Sequence, residues 1–278
     1  MPVFDTPGPI TVILEFDVGS ARITAGDRAG TVVEVTPADG GDDADVRAAQ
    51  QTKVTYSDAT LLVKGPRNRS LFGRSGSVDV SIELPAGSDV RATSPLADFT
   101  CTGRLGDCRL KTSLGDIDVG EAATVEAKTD HGDIRVDRVA GGAEITGAGR
   151  VDVGTVAGTA TIKNSNGDVR IEEIIGDLRV RSSNGHVSVG VANAGVDVKA
   201  ANGGIRIDEV ARGEIVLQTA AGSVEVGIRR STAAWLDVNT RVGTVRNDLT
   251  PSEGPGTSGE TVEVRARTSV GDIVIRRS

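Results

Sequence analysis

Apolar and polar residues alternate along most of this chain, and from Ala97 to Ile275 the alternation is punctuated at nearly equal intervals. A glycine or alanine is followed by β-type places two and four residues on in ADFTC (from Ala97), GDIDV (Gly115), GDIRV (Gly132), GRVDV (Gly149), GDVRI (Gly167), GHVSV (Gly185), GGIRI (Gly203), GSVEV (Gly222), GTVRN (Gly243) and GDIVI (Gly271). The intervals are 18, 17, 17, 18, 18, 18, 19, 21 and 28 residues. A unit this short cannot bury its apolar face alone, so the repeat predicts coils stacked into a solenoid, with function on the outer faces.

About nine residues after each marker a second alternating segment falls, as in GDCRL from Gly106, ATIKN from Ala160, GDLRV from Gly176, VDVKA from Val196 and TVEVR from Thr261. Side chains on a strand point alternately to its two faces. The inward set is therefore Ile117 and Val119, Ile134 and Val136, Val169 and Ile171, Val187 and Val189, Ile205 and Ile207, opposed by pairs such as Leu178 and Val180, Val196 and Val198, Ile215 and Leu217. The expected fold is all-β, a single-stranded β-solenoid (parallel β-helix) of about ten coils of 17–19 residues.

Residues 1–93 lack the period but hold strand-like runs at 10–16, 21–26, 31–35, 52–56, 60–65 and 77–85. They are read as an N-terminal β cap with entry strands, ahead of solenoid repeats over 94–278, because an uncovered edge invites pairing with another chain. The polar stretches 37–51 and 66–76 read as loops, and 247–260 is a Pro/Gly/Ser-rich loop before the last marker.

The turns ahead of three markers read NSNG, SSNG and AANG, placing Asn166–Gly167, Asn184–Gly185 and Asn202–Gly203 at equal spacing. Asn-Gly readily supplies the positive φ of tight turns. The expectation is a structural asparagine ladder with amides bonded from coil to coil.

Composition narrows the chemistry. The 36 glycines and 2% aromatic content suit a thin aliphatic core with many turns, and the net charge of −8 argues against general affinity for nucleic acid. The N-terminus shows no export signal or lipobox, and no run is long and apolar enough for a spanning helix, so the expectation is a cytoplasmic protein without membrane insertion. Cys101 and Cys108 fall on inward places flanking one turn and read as two buried thiols.

No catalytic or metal site is expected and no cofactor is implied. Asp98, Asp116 and Asp133 stack at three strand starts, but one carboxylate per half-coil does not supply the six or more oxygens Ca²⁺ takes, so they read as acceptors for turn amides. His131 and His186 are three coils apart, too far to share a metal, and no nucleophile or phosphate-loop motif is present. Outward places alternate in sign through Asp118, Arg135, Asp152, Arg170, Ser188, Arg206, Glu225 and Arg246, which serves strand register.

One outward row is mostly basic: Lys111, Lys128, Lys163, Arg181, Lys199 and Arg265, interrupted by Thr146, Gln218 and Asn239. Such a row either keeps a sheet soluble or forms the candidate interaction stripe for an anionic polymer or acidic protein partner.

The G-D-[IV]-x-[IV] strands, the S/T-x-x-G turns, the strand VDVSIELPAGSDVRATS at 78–94 and the closing TVEVRARTSVGDIVIRRS at 261–278 resemble the bacterial "putative adhesin" β-strand repeat family, a family of unknown function. The resemblance implies a β-solenoid without established catalysis, some of whose relatives are linked to envelope-stress systems. The reading it supports is a non-enzymatic binding or scaffold protein. Two alternatives stay open: a self-assembling structural solenoid of the bactofilin kind, a homo-oligomer through the C-terminal end, and a polysaccharide-active β-helix enzyme.

Overall fold

A computed structural model describes residues 2–66, 76–249 and 259–278, so most of the expected loops at 66–76 and 247–260 lies outside the described residues. The chain forms two compact units, Met1–Ala140 and Gly141–Ser278. The first contains β1 Val3–Asp5, β2 Thr11–Glu15, β3 Val18–Gly26, β4 Gly30–Pro37, α1 Asp43–Gln51, β5 Lys53–Ser57, β6 Thr60–Lys64, β7 Val78–Pro85, β8 Asp89–Leu114, β9 Ile117–His131 and β10 Ile134–Val139. The second contains β11 Ala143–Gly147, β12 Val151–Val156, β13 Ala160–Asn164, β14 Val169–Ile174, β15 Leu178–Asn184, β16 Val187–Ala192, β17 Val196–Asn202, β18 Ile205–Val210, β19 Gly213–Ala221, β20 Val224–Ile228, β21 Thr232–Val242, β22 Val245–Asn247, β23 Glu260–Val270 and β24 Ile273–Arg277.

Both units are stacks of parallel coils, as the repeat requires. Ile134 and Val136 lie on Ile117 and Val119 in the first unit, and Val169 and Ile171 lie on Val151 and Val153 in the second. The opposing sheet stacks Leu178 on Ala160 and Val196 on Leu178. The named inward residues from Ile117 to Leu217 are all buried. Each such Val, Ile or Leu contributes about 1.5–3 kcal/mol relative to an exposed side chain.

Parallel coils extend into residues 1–93, out of chain order. β2 pairs in parallel with both β6 and β8, and β3 with both β7 and β8, so the coil 11–26 lies between the coil 60–85 and the coil that begins at Asp89. Covering is done by other segments: β4 runs antiparallel on β7, β1 antiparallel on β4, and β5 antiparallel on β6. The polar stretch expected as a loop at 37–51 contains α1, whose Asp42 cap accepts the Ala44 amide at 2.7 Å. Asp43 and Asp45 sit in its first turn, where the helix dipole favours negative charge.

The second unit also departs from chain order. β23 pairs with β19 on one side and β21 on the other, and β24 likewise sits between β20 and β22. The last coil in sequence is thus an inner coil, and among the described residues the coil Thr232–Asn247 lies beyond it. The closing strand DIVIRR lies between β20 and β22.

Candidate functional site

The marker glycines pack backbone on backbone. Gly115, Gly132, Gly185, Gly203, Gly222 and Gly271 all have positive φ, and a Cβ on Gly203 would come within 2.0 Å of the Gly185 carbonyl oxygen. Carboxylates then tie successive turns together, because a side-chain oxygen there can accept the amide of the next coil. Asp98 Oδ1 accepts the Asp116 amide and Asp116 Oδ1 the Asp133 amide, both at 2.8 Å. In the second unit Asp168 Oδ1 accepts the His186 amide at 2.8 Å, and His186 takes over the same role, its Nδ1 accepting the Gly204 amide at 3.1 Å. That bond sets the His186 tautomer with its proton on Nε2.

The asparagine ladder is shorter than its spacing suggests. Asn202 Nδ2 donates to Asn184 Oδ1 at 3.0 Å, but Asn184 Nδ2 reaches the Ser165 carbonyl at 3.4 Å rather than Asn166. Among the described residues Asn166 uses only its backbone carbonyl, as an acceptor for Asn164. The residue that matters in this turn is Asn164, whose Nδ2 donates to the carbonyls of Gly149, Asn166 and Gly167 at 3.0, 2.9 and 2.8 Å. Equivalent turns use threonine: Thr129 donates to Gly115 O, Thr219 to Gly203 O, Thr268 to Gly222 O and Thr240 to Gly271 O. The first residue of the S/T-x-x-G turn carried the signal. At Thr129, Asn164, Thr219 and Thr268 it is inward and polar and donates to a turn carbonyl, as most buried polar groups do, whereas the buried Ser182 hydroxyl in the same place makes no hydrogen bond among the described residues.

Cys101 and Cys108 are free and buried. Burial pushes both thiols up, helped at Cys101 by Cys108 and Asp118 and at Cys108 by Asp89 and Asp107, which leaves Cys108 at about 12 against an ordinary 9.0. Neutral thiols are therefore favoured by folding. Their contribution is complete below the unfolded value of 9.0 and is lost as pH rises through about 12 at Cys108, so stability falls across that window. A thiol-reactive disulfide reagent at about pH 8 should leave both cysteines unreacted in the folded protein and label both in denaturant.

The alternating charges lie in register where expected, with Arg135 beside Asp118, Asp152 beside Arg170 and Arg206 beside Glu225. The row then changes: Val274 separates Glu225 from Arg246 because β24 is inserted between β20 and β22. Several arginines also reach a carboxylate two residues further along the chain, as Arg206 does to Asp208 at 2.7 Å and Arg246 to Asp248 at 2.8 Å.

The basic row is resolved into two parts. In the first unit Lys111 lies beside Lys128, and Lys128 faces Asp130 at 3.8 Å. In the second unit Thr146, Lys163, Arg181, Lys199 and Gln218 follow in register, and Arg267 comes next, with Asn239 beyond it. Arg265 does not continue the row. It stacks on Val216 and pairs with Glu214 at 3.1 Å and Glu263 at 2.5 Å. The two-residue offset arises because Val262, Val264 and Ala266 alternate evenly, so shifting by two keeps every side chain on its face.

From Lys163 to Arg267 the row spans four rungs, about 19 Å at the interstrand spacing. Arg181 is held bidentately by Asp197, with Nη1 at 3.1 Å and Nη2 at 2.6 Å. The hydrogen bond from Arg181 holds the Asp197 carboxyl below the usual carboxylate range, and Lys199 and Arg179 add to the effect. Arg267 pairs with Asp237 at 3.0 Å. Lys163 and Lys199 make no ion pair among the described residues. Lys199, Gln218, Asn239, Arg241, Arg267 and Ser269 line an open groove of about 680 Å³ containing three cations and no carboxylate.

Among the described residues no group of three or more His, Cys, Asp or Glu is placed to hold a metal, and no helix is long and apolar enough to cross a membrane. A comparison with curated proteins finds no match. Solved structures similar to this chain include one described as a putative adhesin from Bacteroides fragilis, 8% identical, covering 99% of this chain and 95% of its own, with a TM-score of 0.36. A putative adhesin from Parabacteroides distasonis is 10% identical over 98% of this chain and 95% of its own, with a TM-score of 0.39. A putative cell adhesion protein from Clostridium sporogenes is 14% identical over 100% and 98%, with a TM-score of 0.21. The family model described as Toastrack DUF4097 matches residues 14–276, nearly every coil traced above, and the chain belongs to that family, a β-solenoid of unknown function.

Proposed function

We propose that this protein is a non-enzymatic binding scaffold that holds an anionic polymer along one outer face of the second unit. The observation that carries the reading is the in-register row Lys163, Arg181, Lys199 and Arg267, broken only by the uncharged Gln218. A stacked-coil ladder presents cations at a fixed repeat of about 4.8 Å, so a linear partner with regularly spaced negative groups can meet several at once without reordering the protein. The net charge of −8 on the chain as a whole repels bulk polyanion and confines attraction to this row. An envelope-linked role, carried by the resemblance to relatives in envelope-stress systems, belongs to the same proposal.

Retention on a dextran sulfate column tests it. Replacing Lys163, Arg181 and Lys199 together by glutamine should lower the salt needed for elution, because fewer counterions are displaced by the protein. Asp197→Asn should raise it by releasing Arg181 from its carboxylate partner. Elution unchanged in both variants would remove the row as the binding surface.

A further inference from the structure

We infer that a trough over β16, in the second unit, binds a neutral saccharide between two walls that each present a guanidinium and a carboxylate. The trough lies on the sheet that does not carry the basic row, and it is independent of that row and its polymer.

The site is where the alternation of charge fails. Outward places on this sheet run Asp152, Arg170, Ser188, Arg206 and Glu225 in register, so the place between two arginines that the pattern reserves for an acid holds a serine. Two residues further on, Gly190 has no side chain either. A Cβ there would come within 2.4 Å of the Glu172 carbonyl oxygen, so close stacking of the coils keeps that place bare.

β16 is therefore a low floor between taller neighbours. On one side β14 carries Arg170 and Glu172, and on the other β18 carries Arg206 and Asp208, about 9.6 Å away at two interstrand spacings. The walls match in sequence, Arg-Ile-Glu at 170–172 and Arg-Ile-Asp at 206–208. These residues line an open trough of about 670 Å³. Residues 250–258 follow β22, and the strands β20 and β24 lie between β22 and the trough.

The two walls are unequally committed. Arg206 is held by Asp208 at 2.7 Å and by Glu225 at 3.3 Å, whereas Arg170 and Glu172 make no ion pair among the described residues. His186 also lines the trough, and because its Nδ1 accepts the Gly204 amide it keeps Nε2–H as a donor. With Arg150, Asp152 and Asp168 the lining holds three arginines and four carboxylates. Such a surface gives a polyanion or a polycation as much repulsion as attraction. A hydroxyl both donates and accepts, so neighbouring hydroxyls of an uncharged sugar can accept from a guanidinium and donate to the carboxylate two residues along.

Native electrophoresis through gels cast with dextran, a soluble mannan or xyloglucan is the test, because the acidic chain migrates and a bound neutral polymer slows it. Relative to a polymer-free gel, the wild-type protein should be retarded by at least one of the three. Arg170→Ala and Glu172→Gln should each raise the polymer concentration that gives half-retardation by about tenfold. Ser188→Glu places a carboxylate between Arg170 and Arg206 and fills the trough, so it should abolish retardation while raising the denaturation midpoint. Loss of binding in a protein more stable than wild type cannot come from unfolding. Migration unaffected by all three polymers, or retardation that survives both Arg170→Ala and Ser188→Glu, would overturn the inference. Failure of dextran sulfate binding would not, because none of these changes touches Lys163, Arg181 or Lys199.

Discussion

Replacing Gly203 by alanine is expected to lower the unfolding free energy by about 3 kcal/mol or more. Two penalties combine there. The residue has φ +139°, which side-chain-bearing residues rarely adopt, and a Cβ would lie 2.0 Å from the Gly185 carbonyl oxygen and 2.6 Å from its carbon. Neither neighbour can yield, because both are backbone atoms of the adjacent coil. Gly142 provides the control: its φ is ordinary and a Cβ would stand 3.4 Å from the nearest atom, the Thr159 carbonyl oxygen. Gly142→Ala should change stability by no more than about 1 kcal/mol. Guanidinium denaturation of the two variants measures the difference, and equal midpoints would show that the marker glycines are not required by coil packing.

Asn164→Asp is expected to be at least as damaging, at about 3–5 kcal/mol near neutral pH. Asn164 is 3% exposed and its Nδ2 faces three carbonyl oxygens. An aspartate of the same shape supplies only acceptors, so a buried negative charge would face three partial negative charges. Protonation restores one donor, so the folded-state pKa of the new carboxyl is raised above its unfolded value. The penalty is then largest above that folded pKa and shrinks as pH falls through it. Asn164→Thr should cost much less, since Thr219 and Thr268 fill equivalent turns by donating to Gly203 O and Gly222 O. A destabilisation by Asn164→Asp that does not depend on pH would show that the side-chain donor is not what the turn needs.

These two positions differ in how far the sequence announces them. Gly203 is visible because its marker recurs through the chain and only a residue without Cβ suits such close stacking. Asn164 is harder to see, because the adjacent Asn166–Gly167 pair matches a familiar turn signature and draws attention to an exposed residue. Buried hydroxyls at Thr129, Thr219 and Thr268 occupy the same place as Asn164, three residues before a marker. The basic row was legible as far as Lys199 because its register follows the 18-residue spacing. It failed at Arg265, where evenly alternating residues admit two registers and the turn Thr268–Gly271 selects the one that brings Arg267 beside Gln218.

The sequence by itself determined the coil length, the inward aliphatic set, the marker turns and the strand-rich character of residues 1–93, because each follows from local alternation and from backbone geometry available only to glycine. Tertiary structure alone decided the order of the coils. The segment 11–26 lies between 60–85 and the coil starting at Asp89, and 260–277 lies between 213–228 and 232–247. The physical reason is that similar coils offer one another nearly the same apolar face and the same unpaired backbone groups. Local pattern therefore cannot distinguish one stacking neighbour from another, and the choice depends on connections and on which edge is left to be covered. That choice is what placed β21, rather than the C-terminal strands, last in the stack among the described residues.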